Sequence, residues 1–260
     1  MAGLFIWHIS ENYDFKNINE TFSKLGYYSG QLLRMGNWRA IVFPKESYNI
    51  RNWKTWENSA ICAKGTFGYK GKFYNQALDI IAKDIRSDQL DLTEFWGNFI
   101  IFAYINGQNI LIRDGAHLAR LHGYSNKPVF STSFAALLRL SSKKMQLNKT
   151  AVTELLSTGL ICGSDTIVHN IDFIGFNKEI TGLKYLLSTT KKFEDPKSQE
   201  QAVTQQIEAG RLFLRKIIDN WFSYNPSSPL NLSITGGLDS RLLLAFIYSL
   251  IYVIFNTDKS

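Results

Sequence analysis

The segment EFWGNFIIFAYINGQNILIRDG, residues 94–115, constrains the fold of this chain more than any other. Two strand-like runs flank Asn106-Gly107, a dipeptide whose backbone suits a tight two-residue turn, so the pattern predicts an antiparallel β-hairpin. The rest of residues 1–140 reads as mostly β with some helix. GLFIWHI (3–9) and WRAIVFP (38–44) are short apolar runs, and NQALDIIAKDI (75–85) has apolar residues at helical spacing. KPVFSTSFAALLRL (127–140) passes from a strand into a helix, with Ser131, Thr132 or Ser133 as the N-cap.

Residues 145–192 read as a bridging region. NKTAVTELLSTGL (148–160) has an Asn cap and an apolar helical stripe and ends at Gly159. Short strands are predicted at 166–174 and 183–188, and the polar stretch STTKKFEDPKSQEQ (188–201) reads as a linker. An amphipathic helix over about 199–223 follows, carrying Ile207, Leu212, Phe213, Leu214, Ile217, Ile218 and Trp221. YNPSSP (224–229) breaks it with two prolines. Beyond it the pattern predicts a strand (230–234), a Gly-Gly turn, a helix (about 239–249) and a strand at IYVIF (251–255). No internal repeat and no low-complexity tract interrupts this order.

With 260 residues, the chain has room for one large domain or one domain and part of another. It is 45% hydrophobic and 14% aromatic, which supplies a buried core and excludes wholesale disorder. The net charge of +7 favours anionic partners in general. The positive residues are scattered, with Lys143-Lys144 and Lys191-Lys192 as adjacent pairs, so the charge reads as a solvated basic surface and no nucleic-acid partner is expected. Cys62 and Cys162 lack CxxC spacing and do not form a secreted disulfide framework, which points to a cytoplasmic setting. MAGLFIWHISENYDF has no basic n-region and too short an apolar run for a signal peptide. The longest apolar run, residues 242–255, is shorter than a bilayer span, so no membrane partner is expected. The histidines His8, His117, His122 and His169 show no metal-ligand spacing.

The chemistry concentrates in LNLSITGGLDSRLLLAF, residues 230–246. A strand that ends in a Gly-rich turn before a helix aims several backbone N–H groups and the positive end of the helix dipole at one spot. Gly236 and Gly237 let the backbone approach an anion closely, and Thr235 and Ser240 add hydroxyl donors around Leu238. Asp239 suits a Mg²⁺ ion held against phosphate oxygens. The GxxxxGK[ST] loop is absent. A plain β-to-α turn with Asp239 or Ser240 capping the helix fits the same residues.

SITGGLDSR resembles the SGGxDS pyrophosphate loop of the asparagine synthetase family and of related N-type ATP pyrophosphatases, with Thr235 in place of the first Ser. Upstream, GNFIIFAYINGQNILIRD (97–114) is similar to the family's G-x-F-A hairpin ending in Arg-Asp. GAHLARLHGY and VFSTSFAALL stand where the family has RDxxGxxPLYY and FASExKAL, and ELLSTGLICGSDTIVHNIDFI (154–174) looks like its following helix and strand. The resemblance implies an α+β chain: a glutamine amidotransferase-like αββα sandwich of the N-terminal-nucleophile type over residues 1–190. Residues 191–260 would then be the truncated beginning of a doubly wound α/β ATP pyrophosphatase domain. It implies ATP and Mg²⁺ as cofactors, with Thr235, Gly236, Gly237, Leu238, Asp239 and Ser240 around the pyrophosphate and Asp239 on the metal.

The chain departs from the family at the nucleophile. Glutaminase members use an N-terminal Cys whose thiolate attacks the amide, whereas residue 2 here is Ala2. Lys70-Gly71 stands where the family has Asn-Gly, and Ser87-Asp88 lacks the Thr-Glu that follows. Glutamine hydrolysis is not expected. Cys-less relatives, the β-lactam synthetases and lasso-peptide cyclases, use the ATP half to adenylate a carboxylate that an amine then captures. By resemblance the substrate is a small-molecule or peptide carboxylate, with a separate chain as a candidate source of the remaining synthetase half. A catalytically silent interaction or scaffold module is the other reading. Arg113-Asp114 reads as a turn-stabilising pair or a catalytic one, and Arg241 as a phosphate-side charge or an exposed first-turn residue.

Overall fold

The computed structural model describes residues 2–44, 51–141, 145–175, 182–188, 199–224 and 237–257. In chain order the elements begin with β1 (Gly3–His8), α1 (Phe15–Ser23), β2 (Gln31–Met35), β3 (Trp38–Phe43), β4 (Trp53–Trp56) and β5 (Ser59–Tyr69). Next come β6 (Lys72–Phe73), α2 (Tyr74–Arg86), β7 (Phe95–Ile105), β8 (Gln108–Arg113), β9 (His122–Tyr124) and β10 (Val129–Ser131). The remainder is α3 (Phe134–Leu140), α4 (Lys149–Thr158), β11 (Ile171–Phe173), β12 (Lys184–Leu187), α5 (Gln199–Tyr224) and α6 (Leu238–Thr257). The chain is α+β. It divides into two compact units: Met1–Lys70 with Tyr74–Thr190, and Gly71–Phe73 with Lys191–Ser260.

The first unit is built on two sheets, ordered β11-β9-β10-β1-β3-β2 and β12-β8-β7-β5-β4. Every pairing along the first is antiparallel, and in the second only β12 on β8 is parallel. Strand alternation assigns the layers. Leu4 and Ile6 of β1, Trp38 and Val42 of β3, Cys62 of β5, and Ile100 and Phe102 of β7 meet in one buried cluster between the sheets. The opposite-facing residues Ile61, Phe67, Phe99 and Ile101 pack with Ala77, Leu78 and Ile81 of α2. Phe5, Ile41 and Phe43 pack with Ile18 and Phe22 of α1 and with Ala136 and Leu137 of α3. Each sheet is thus covered on both faces, in the order helices, sheet, sheet, helix. Burial on both faces explains why residues 99–103 of β7 are apolar without alternation.

The predicted hairpin forms as β7 and β8, with Ile105 opposite Gln108 and positive φ at both Asn106 (51°) and Gly107 (75°). That is the backbone a two-residue turn between right-twisted strands requires. Gly97 has φ +109°, and a Cβ there would stand 2.2 Å from the Thr66 carbonyl oxygen, so β5 and β7 can approach only without a side chain. Ser133 is the cap chosen from the three candidates before α3: its Oγ accepts from the Ala136 N–H at 3.2 Å. Asn148 caps α4 in the same way, and Gly159 ends it in the left-handed conformation at φ 77°.

In the second unit the amphipathic helix is α5. Residues 189–198, most of the linker stretch, and 230–234, the predicted strand, lie outside the described residues. The predicted strand at 251–255 is corrected: α6 runs unbroken to Thr257. No Gly or Pro interrupts residues 239–257. Once a first turn is nucleated, each further residue adds a hydrogen bond at little cost, and the apolar run propagates as helix. Among the described residues no helix is long and apolar enough to cross a membrane.

Candidate functional site

Of the six residues assigned to the pyrophosphate loop, Thr235 and Gly236 lie outside the described residues. Gly237 is an exposed bend directly before α6, and Leu238 opens the helix with its side chain 80% exposed. Asp239 is in the first helical turn, but its side chain, the assigned Mg²⁺ ligand, lies outside what is described. Ser240 is buried, and its Oγ donates to the Gly237 carbonyl at 3.3 Å. The hydroxyl folds back on the turn that precedes it, as Ser does when it competes for local backbone groups. The first-turn N–H groups of a helix have no intrahelical acceptors and carry the positive end of the dipole. An anion suits that donor set, and Arg241 of the same turn is exposed.

At the other end of the chain, Ala2 stands immediately before β1, which lies between β10 and β3. Thr132 Oγ1 accepts from the Leu4 N–H at 2.9 Å, tying the strand's start to the segment after β10. Neither cysteine stands near the start of β1 in sequence. Cys62 is fully buried in β5, where burial pushes its thiol pKa well up, and a thiol that resists ionising is a poor nucleophile. Cys162 is exposed beyond α4, its pKa raised by a hydrogen bond with Glu154.

Arg113 and Asp114 form a clamp. The Arg113 guanidinium is fully buried and donates to the carbonyls of Ile174 and Ala119 (2.8 Å for the latter) and to the Tyr185 hydroxyl at 3.3 Å. It also lies over the Phe173 ring, 5.5 Å from its centroid. Asp114 accepts from the Leu118 and Ala119 N–H groups at 2.8 and 3.1 Å, and its carbonyl accepts from the His117 N–H at 3.1 Å. The two side chains close the loop after β8 and join it to the segments around residues 174 and 185. This is the turn-stabilising role.

Two histidines flank the clamp through Phe173, whose ring lies 6.2 Å from His117 and 6.1 Å from His122. Burial lowers the His117 pKa, reinforced by the Arg113 charge and opposed by Asp114. His122 is pushed down to about 4 by burial, then by Arg120 and Arg113. Its Nδ1 has no hydrogen-bond partner among the described residues. Lys64, on the inner face of β5, has its pKa lowered by burial and partly restored by Asp114. No group of three or more metal-ligating side chains occurs among the described residues.

The stretches Lys70-Gly71 and Ser87-Asp88 flank β6 and α2. Lys70, at the end of β5, donates to Asp84 at 2.6 Å, and the same carboxylate takes the Tyr69 hydroxyl at 2.8 Å. Burial raises the Tyr69 pKa to about 12. Asp88, after α2, has φ 53°. Lys70 is therefore committed to a structural pair with a nearly buried acid. Sequence reasoning missed this network, and the signal for it was the i, i+3 pairing of acid and helix face in LDIIAKDI, where Asp84 stands among apolar positions. His122 had no such signal, because its isolation depends on Phe134 and Phe173 from distant elements.

No protein-family model matches the chain, and no curated protein matches it.

Proposed function

We propose that the chain is an asparagine-synthetase-like protein of the ATP-dependent, amide-bond-forming ligase class, with an amidotransferase-like first domain that does not hydrolyse glutamine. The observation that carries the reading is the position of Ala2: directly before a central strand of one sheet, in a unit layered helices, sheet, sheet, helix. In an N-terminal-nucleophile sandwich that position belongs to the attacking group. Here it bears a methyl, while Cys62 is sealed in the core and Cys162 is exposed beyond α4. The Gly237–Ser240 turn and the first turn of α6 have the donor chemistry for a pyrophosphate.

Under this reading Thr235, Gly236, Gly237, Leu238, Asp239 and Ser240 hold the pyrophosphate end of MgATP, with Asp239 on the metal. Bound MgATP supplies the activated phosphate at which a small-molecule or peptide carboxylate is adenylated. The chain's own part is to orient the anion through backbone N–H groups fixed by the helix.

Calorimetric titration with magnesium pyrophosphate tests the reading. Saturable binding lost in Asp239→Ala is the expected result, with no glutamate released from glutamine and no AMP formed by the chain alone. Absence of pyrophosphate binding up to millimolar concentration would sink it. A second reading, a silent interaction module, is favoured by the methyl at residue 2. It requires partner binding indifferent to ATP and to Asp239→Ala.

A further inference from the structure

Both sheets of the first unit end in an edge strand, β2 in one and β4 in the other. Between them lies a groove of about 570 Å³, lined by residues of both strands and by Tyr104 of β7. All of residues 31–34 of β2 line it. Successive side chains of a strand point to opposite faces, so four consecutive lining residues mean that the backbone edge itself borders the groove.

The hairpin registers say which backbone groups point there. Met35 pairs with Trp38 across a two-residue turn, and such closing residues exchange hydrogen bonds. Alternation then makes Leu32 opposite Ile41 and Arg34 opposite Arg39 the non-bonded pairs, with their N–H and C=O groups directed away from β3. The Leu32 carbonyl accordingly accepts from the Gln31 side-chain amide at 3.1 Å instead of from a neighbouring strand. In the other hairpin Trp56 pairs with Ser59 across two residues, which leaves Trp53 and Thr55 directed outward in the same way.

The side chains around this edge are basic and aromatic. Arg34 and Arg51 are both exposed, and among the described residues neither has a hydrogen bond or ion pair. Glu57 is the acid among the lining residues, so the groove carries an excess of positive charge. Trp53 and Tyr104 are half-buried against the inter-sheet core and give it an apolar floor.

We propose that this groove binds an acidic peptide segment in extended conformation, which adds a strand to the β2 edge and sets carboxylates against Arg34 and Arg51. Outward N–H and C=O groups repeating every second residue match an extended backbone and nothing smaller. A small anion would use the guanidiniums alone and would gain nothing from the carbonyls beside them. A second copy of the chain pairing through its own β2 would set two Arg34 side chains along the same short edge, and their like charge opposes that. The site is independent of the pyrophosphate loop and of the ligase reading.

The test is fluorescence anisotropy with the full chain and a labelled short peptide alternating glutamate and valine. Saturable binding is expected, weakened about tenfold or more by the Arg34→Glu, Arg51→Glu double variant and by high salt. Both arginines are exposed, so the variant keeps the fold, which its circular dichroism checks. A peptide N-methylated at alternate residues should bind at least about tenfold more weakly, since it cannot pair as a strand. Four results would overturn the proposal: no binding up to millimolar peptide, equal binding of the lysine-for-glutamate peptide, equal binding of the N-methylated peptide, or displacement by N-acetylglutamate at matched carboxylate concentration. Sedimentation showing a dimer that Arg34→Glu dissolves would assign the edge to a second copy and also overturn it.

Discussion

The β5–β7 pair and the helices α5 and α6 handle the same kind of residue in opposite ways. Phe99, Ile101 and Phe102 of β7 are fully buried, because a sheet between two layers has no water-facing side. Ile207, Leu212 and Phe213 of α5 are each more than half exposed, and Leu242 and Tyr248 of α6 likewise. Isolated exposed leucines are ordinary, but several large apolar side chains exposed on one helix are surface whose burial would stabilise it. The sandwich closes its own core; among the described residues of α5 and α6, large apolar side chains stay exposed.

Truncating side chains tests this contrast most severely. Phe99→Ala should cost about 3–5 kcal/mol of unfolding free energy in urea titration, whereas Phe213→Ala should change it by less than about 0.5 kcal/mol. Equal costs would mean that the exposed face of α5 is covered in solution, and the contrast would fail.

Glycine substitution sharpens the comparison within the sandwich. Gly97→Ala forces a Cβ onto the Thr66 carbonyl at φ +109°, and should cost roughly 3 kcal/mol. Gly159→Ala, also at positive φ but with nothing within 4 Å, should cost about 1 kcal/mol. Similar losses at both would show that β5 and β7 can separate, and that the close approach is not what holds them.

Acid probes the sandwich through His122. Its folded pKa is depressed to about 4 against 6.5 for the free side chain, so the unfolded chain takes up the proton first. Stability is full above about pH 6.5 and falls as the pH drops toward 4, on the order of 2 kcal/mol after solvent screening. His122→Leu should flatten that part of the stability profile measured by thermal melts between pH 7 and 4. An unchanged slope would assign the acid sensitivity to other groups.

The elements legible in the sequence were those whose signals are local. Asn148 and Gly159 bracket α4, Ser133 starts α3, and Asn106-Gly107 closes the hairpin, each through bonds within a few residues. β5, the longest strand with β7, went unread. SAICAKGTFGY is interrupted by Lys64, Gly65 and Thr66, and its pairing is decided by β7, whose partners lie 26 to 44 residues away. β2 and β4 were unread for the same reason: QLLRM and WKTW mix charge with apolar residues because edge strands border water. The helix over 251–255 was read as a strand because β-branched and aromatic residues dominate IYVIF, and helix continuity outweighed that local preference.

The candidate site divides along the same line. That Gly237 bends the chain before a helix at Leu238, and that residue 2 carries no thiol, are properties of the residues themselves. Where Arg113 sends its charge, why Lys70 is held by Asp84, and what isolates His122 are not. Each depends on carbonyls, a carboxylate or rings brought from segments distant in the chain. Turns and caps are set by forces acting over a few bonds, so sequence alone determines them. Burial and the groove between the two sheet edges exist only once distant strands have paired, and so only the tertiary structure decides them.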